Sequence, residues 1–310
     1  MTRLEAACAG LVVGITLGLV SLDCGGRPSG DLDLPRPTPG LELRSEDFAR
    51  ARAGFSTRLV RRGPSPSTGE PLATPADAEA VEYRSGGLRL RAYRSRPAPD
   101  GVRRAAVLFL HGGFAFGEGH WEMSRPFRDA GYVVMTPVLR GENGQPGDFS
   151  LFYDEVDDVL AAAEALAAAP DVDPENLFVA GHSVGGTLAM MAASASPRFR
   201  AAASMSGSPD LIAYLQVSRT PAPFEASSEA EVRLRSPVAY AASFKCPVRL
   251  YCGEDEFWVQ GGTRRTAMLA ERAGIDAAAV EVPGDHSSSV PEAIREILAF
   301  FRKVRRASSE

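Results

Sequence analysis

The spacing of apolar and polar residues changes character near Val81, and the chain beyond that point predicts a regular alternation of strand and helix. Leu88 to Tyr93 alternates apolar and polar side chains, as a half-exposed strand near a sheet edge should. Ala105–Leu110 and Tyr132–Met135 are unbroken apolar runs, the pattern of strands buried on both faces. From Asp154 to Ala169 the apolar residues Val156, Val159, Leu160, Ala163, Leu166 and Ala167 form one helical stripe, with carboxylates in the first turn. Asn176–Ala180 predicts a strand and Val184–Ala195 a helix of small residues. Strands at Ala201–Met205, Val248–Cys252 and Ala279–Val282 follow, with helices at Thr263–Ala273 and Pro291–Arg302. Strands separated by helices of this length make a mostly parallel α/β sheet covered on both faces.

Two stretches break the rhythm. Residues 207–245 are rich in Pro and Ser with scattered helix formers, and predict a short lid over the strand ends. Ahead of the domain, residues 25–80 are rich in Pro and Gly and predict a linker, with a short helical segment near Ser45–Leu59. The first 24 residues contain an uncharged run, Ala6–Leu22, of about 17 residues, short for a spanning helix and long enough for a signal sequence. Residues 1–24 are therefore expected to be a signal sequence or membrane anchor. That implies an exported, periplasmic or membrane-anchored protein, with a possible tether through this segment. The hydrolytic domain is expected over 81–305.

Composition narrows the partners. The 310 residues are 45% hydrophobic and carry a net charge of −5 without a basic stripe, so nucleic acid is not an expected partner. Cys246 and Cys252 flank one strand of six residues, about 20 Å apart along it and beyond disulfide reach. Their spacing is not that of a zinc site, so they are expected to be buried thiols used as small hydrophobes.

The chemistry centres on Gly181-His182-Ser183-Val184-Gly185. A Gly-x-Ser-x-Gly string is weak alone, but this one lies between an apolar strand and a small-residue helix, the strand-turn-helix setting of a nucleophile elbow. Ser183 is the expected nucleophile, and it needs a base. Of the four histidines, His182 adjoins the serine in a tight turn and is expected to be structural, and His120 to pack or lie at the surface. His286 follows a strand in the turn Pro283-Gly284-Asp285-His286 and is the expected base. The third member should be a carboxylate between serine and histidine in chain order. Gly253-Glu254-Asp255-Glu256 ends a strand there, and Asp255 is preferred, with Glu256 the alternative if the turn is one residue longer. Oxyanion donors are expected from Val184 N–H and from Gly113 and Phe114 in the loop His111-Gly112-Gly113-Phe114. Trp121, Phe152, Phe224 and Trp258 are pocket candidates by position alone.

These motifs, together with Arg140-Gly141-Glu142-Asn143-Gly144, Ser236-Pro237 and Lys245-Cys246-Pro247, fall in one order. Over residues 81–303 they resemble the catalytic domain of the prolyl oligopeptidase family of serine peptidases, and more loosely the dienelactone-hydrolase-type esterases. The resemblance implies an α/β-hydrolase fold and cleavage of an ester or amide through an acyl-enzyme, with a small ester or short peptide as substrate. Acyl transfer of this kind uses protein groups alone, so no metal or organic cofactor is expected. A carboxylesterase or acyltransferase acting on a small acyl group is the alternative, and a non-catalytic binding protein of the same fold the third reading. Two departures accompany the resemblance. About 80 residues precede the domain, too few for the β-propeller that gates large family members. Several family peptidases also place a tyrosine hydroxyl as oxyanion donor where His111 stands, so here that donor is absent or replaced by imidazole.

Overall fold

In the computed structural model, which describes residues 38–307 apart from 68, 70–72 and 99, the alternation of strand and helix becomes one sheet. Its strands in chain order are β1 (Ala78–Ser85), β2 (Leu88–Ser95), β3 (Arg104–Leu110), β4 (Val133–Pro137), β5 (Val172–His182), β6 (Ala201–Met205), β7 (Val248–Gly253) and β8 (Ala277–Val282). Across the sheet they run β1-β2-β4-β3-β5-β6-β7-β8. The pairs β1/β2 and β2/β4 are antiparallel and every later pair is parallel. Together with the helices on both faces, this is the α/β-hydrolase architecture.

The helices are α1 (Phe48–Ala53), α2 (Glu118–Met123), α3 (Arg125–Asp129), α4 (Glu155–Ala167), α5 (Val184–Ala195), α6 (Leu211–Ser218), α7 (Glu229–Arg233), α8 (Phe257–Arg272) and α9 (Val290–Val304). Side-chain alternation along a strand sends neighbours to opposite faces. On β3, Ala106, Leu108 and Leu110 pack in the core that takes Val159 of α4, Leu188 of α5 and Ala270 of α8. Ala105, Val107 and Phe109 pack in the other, with Phe127 of α3 and Ile294, Ile297 and Phe301 of α9. Both faces of β3 and β5 are thus dry, which is why their sequences read as continuous apolar runs.

Three segments differ from the sequence expectation. The stretch expected as linker packs on the domain: Leu41 and Phe48 join the main core, and Phe48 N–H donates to Ser243 Oγ at 3.0 Å. Helix α1 is shorter than Ser45–Leu59 because the chain leaves it at Gly54 to bind the lid; Glu231 accepts from Arg58 N–H and Thr57 Oγ1, and Leu59 forms a β-bridge with Phe224. Helix α8 starts at Phe257 rather than Thr263. Its Gly261-Gly262 pair, poor in helix propensity, masks that first turn in the sequence, while a Cβ on Gly262 would come within 3.0 Å of Pro209 of the lid.

Residues 207–245 hold α6, α7 and a 3₁₀ stretch, Pro237–Ser243. Arg235, fully buried, fastens this segment: it donates to the Ser150 and Leu151 carbonyls and to Thr57, pairs with Glu231, and lies 3.8 Å over the Phe224 ring. The signal sequence or anchor expected over residues 1–24 lies outside the described residues. Among the described residues no helix is long and apolar enough to cross a membrane.

Candidate active site

Parallel strands deliver their carboxyl ends to one edge of the sheet, and the chemistry-bearing loops gather there. Ser183 follows β5 as the N-cap of α5 with φ 56° and ψ −119°, a strained conformation for a side chain. The turn holds because its neighbours are glycines. A Cβ on Gly181 would lie 2.2 Å from Gly185 O, and one on Gly185 would lie 2.1 Å from Leu110 O. Ser183 N–H donates to Met205 O at 2.8 Å, pinning the elbow to β6.

His286, in the turn between β8 and α9, brings Nε2 to 3.0 Å from Ser183 Oγ. Its Nδ1 lies 2.6 Å from Oε1 of Glu256. This corrects the preference for Asp255, which is solvent-exposed and makes no hydrogen bond or ion pair with His286. The reason lies in the turn. Asp255 N–H is tied to Gly284 O at 3.1 Å, leaving its side chain at the outer tip. Glu256 follows as the N-cap of α8 and is 2% exposed. From that inward position its longer side chain reaches the imidazole.

Glu256 is fixed on its other oxygen as well. Oε2 accepts from Ser206 Oγ and from Gly253 N–H, the latter at 2.7 Å. Burial works to raise its pKa, but the bonds from His286, Ser206 and the Gly253 amide outweigh it and hold the carboxyl below its usual range. Ser206, at φ 53° just past β6, was not anticipated; the signal available was its place at a strand end beside the elbow.

His182 is turned away from Ser183 Oγ. Its Nε2 donates to the His286 carbonyl at 2.8 Å, and its ring lies 4.8 Å from that of His286. Burial lowers its pKa, keeping it neutral. His120 stacks on His111 at 5.1 Å; its Nδ1 accepts from Gly117 N–H at 2.9 Å, and burial takes its pKa down to about 4.

A cavity of about 280 Å³ opens over Ser183, lined by Gly113, Phe114, Val184, Tyr214, Val217, Ser218, Trp258 and His286. Gly113 (φ 68°), Phe114 and Val184 thus share one wall with Ser183. The Val184 N–H belongs to the first turn of α5, where amides have no helical acceptor. Of the four pocket candidates only Trp258 lines this cavity. Trp121 wedges into a small cluster with Tyr93 and Phe116, Phe224 lies under Arg235, and Phe152 packs edge-on behind Tyr214. Helix α6 supplies the lining residues that sequence reasoning missed, since nothing in Tyr214-Leu215-Gln216-Val217-Ser218 distinguishes a pocket wall from a packed lid. Cys246 and Cys252 are buried and unpaired, and burial pushes both thiols up to about 12. Among the described residues no cluster of three or more His, Cys, Asp or Glu is placed to hold a metal ion.

Comparison with known proteins gives the family and the fold. The prolyl oligopeptidase family model matches residues 120–306, more than half of the chain. The uncharacterized peptidase YtmA of Bacillus subtilis (strain 168) is 31% identical over 138 residues, 43% of this chain and 49% of that protein. The chain thus spans about half the length of the curated relative it matches. Two solved structures illustrate the fold. The acylaminoacyl peptidase of Pyrococcus horikoshii superposes with a TM-score of 0.61 at 21% identity, over 75% of this chain and 42% of that one. The hyperthermophilic esterase of the archaeon Pyrobaculum calidifontis gives 0.61 at 21% identity, over 83% and 88%. Identity at that level speaks for the fold alone, whereas the family match speaks for descent and chemistry: the chain belongs to the prolyl oligopeptidase family and is a serine hydrolase.

Proposed function

We propose that the protein cleaves a small apolar ester or short peptide amide through an acyl-enzyme formed on Ser183, with His286 as general base and Glu256 as the acid. One observation carries the reading: the unbroken hydrogen-bonded line from Glu256 through His286 to Ser183 Oγ, at 2.6 and 3.0 Å. As Oγ attacks the carbonyl carbon, Nε2 takes its proton, and Glu256 stabilises the imidazolium and fixes the tautomer that leaves Nε2 free to accept. The oxyanion is received by Val184 N–H and by an amide of the Gly113–Phe114 loop. Imidazolium then protonates the leaving alcohol or amine, and water repeats the sequence to release the acid.

The cavity favours an uncharged group. Apart from the imidazole of His286 its lining carries no ionisable side chain but the Tyr214 phenol, which burial holds above its ordinary pKa. Neither an ammonium nor a carboxylate of the substrate meets a charged partner there, so an acyl chain or a blocked residue is the group that fits. Peptidases and an esterase among the similar proteins support both bond types.

Reaction with a fluorophosphonate probe tests the nucleophile: the wild type is labelled and Ser183→Ala is not. Turnover of p-nitrophenyl butyrate against a blocked dipeptide anilide then assigns the bond. An unlabelled wild type, or a labelled Ser183→Ala variant, would refute the proposal.

A further inference from the structure

We propose that Glu142, acting through His111, is a positioning residue that locks the Gly112–Gly113 peptide with its N–H aimed at the oxyanion. The inference rests on the acyl-enzyme reading above and concerns the loop that supplies the second donor.

The chain of contacts starts away from the nucleophile. Glu142 follows β4 in the Arg140-Gly141-Glu142-Asn143 loop, is 3% exposed, and places Oε2 at 2.9 Å from His111 Nε2. The same oxygen accepts Leu139 N–H at 3.0 Å, so its lone pairs serve two donors. The other ring nitrogen, Nδ1, lies 3.0 Å from the Gly112 carbonyl, which can only accept. Both nitrogens of His111 therefore face acceptors, and the ring satisfies both as an imidazolium. Burial opposes that charge, but the Glu142 carboxylate and the hydrogen bonds outweigh it and raise the pKa. The other titratable group against the ring is His120 of α2, which is neutral.

The consequence falls on a single peptide plane. A trans peptide points its C=O and N–H in opposite directions. With the Gly112 carbonyl held by His111, the Gly113 N–H must face the other way, and Gly113 lines the cavity over Ser183. Gly112 itself packs against the elbow: a Cβ there would lie 3.4 Å from Ser183 Cβ. A charged donor on the carbonyl also polarises the amide, strengthening the N–H as a donor. The rest of the loop is clamped independently. Asn143 accepts from Phe116 N–H at 2.7 Å and donates to Phe116 O at 3.0 Å, and Ser65 Oγ donates to Phe114 O at 2.6 Å. Glu142 is therefore the contact whose loss frees the Gly112–Gly113 plane while the loop ends stay fixed.

Glu142→Gln tests this with little change of shape. An oxyanion donor acts only once the tetrahedral centre forms, so kcat should fall by about tenfold to a hundredfold with KM within about twofold. A trifluoromethyl ketone, which forms a hemiketal oxyanion on serine, should lose affinity by the same factor as kcat/KM. A merely structural residue would lower the active fraction and leave both constants of the surviving enzyme unchanged; that result, or a loss confined to KM, would overturn the proposal. Should the variant not fold, nitrogen-15 spectra of the wild-type histidine rings decide: one ring must stay doubly protonated above the usual imidazole range, and four neutral rings there would overturn the lock. Ser183→Ala separates the two levels. If it is inactive while Glu142→Gln is unaffected, only the lock fails; if Ser183→Ala remains active, the acyl-enzyme reading fails.

Discussion

Replacing Glu256 by Gln should inactivate the enzyme through the tautomer of His286, and the structure states why. Oε2 of Glu256 receives two donors, Ser206 Oγ and Gly253 N–H, whereas Oε1 receives one. A glutamine in this site places its carbonyl oxygen where the two donors are, which turns its amide –NH₂ toward Nδ1. His286 must then carry its proton on Nε2 and donate to Ser183 Oγ instead of accepting from it. The variant also lacks the charge that stabilises the imidazolium: a pair about 4 Å apart at an effective dielectric near 20 is worth about 4 kcal/mol. At 1.36 kcal/mol per decade that is about a thousandfold, and the inverted tautomer takes the loss toward ten-thousandfold. Steady-state hydrolysis of p-nitrophenyl butyrate at pH 8 reads this as kcat. Asp255→Asn, at an exposed turn tip, should stay within about twofold of wild type. A kcat for Glu256→Gln within tenfold of wild type, or a comparable collapse in Asp255→Asn, would refute the reasoning.

Gly185→Ala brings a methyl carbon to 2.1 Å from the Leu110 carbonyl oxygen, so the elbow should not form; fluorophosphonate labelling should vanish, and a normally labelled variant would contradict the close approach. Arg235→Leu leaves Glu231 buried without its partner and should cost about 3–5 kcal/mol, seen as a lowered urea midpoint. The pH dependence of stability carries a sign that can be worked out. Because the folded-state pKa of Glu256 is held below its ordinary value, its contribution is complete above about pH 4.3 and is lost as pH falls through the folded value. The wild-type Tm minus that of Glu256→Gln should therefore shrink on acidification from pH 5 to pH 3, and a difference that grew would refute the assignment.

Much of the fold was legible because strands buried on both faces have no choice but to be apolar. Val184–Ala195 and Ala201–Met205 fall where the pattern predicts them to the residue. What the pattern concealed has a common physical cause. Proline, glycine and serine set the composition of residues 25–80, and a composition average hides two anchors: Leu41 and Phe48 are each 1% exposed. The same masking hid the first turn of α8, where Gly261 and Gly262 sit inside the helix and Pro209 of the lid leaves little room for a side chain at Gly262. In both places a tertiary contact set the local structure against the local preference.

The site separates along a different line. The proposed nucleophile and base, Ser183 and His286, follow from chain order and from the turns that expose them. The acid does not, because Glu254, Asp255 and Glu256 are consecutive carboxylates and only the path of the turn selects which one points inward. Tying Asp255 N–H to Gly284 and starting α8 at the next residue makes that selection, and both are contacts with distant parts of the chain. The histidines make the same point more sharply. His182 bonds the backbone carbonyl of His286 and His111 that of Gly112, contacts that residue type alone does not reveal. What divides them is the partner each ring nitrogen meets: a backbone carbonyl fixes a position, a carbonyl and a carboxylate together favour a charge, and a hydroxyl that donates to Nε2 with a carboxylate accepting from Nδ1 suits a ring to act as a base.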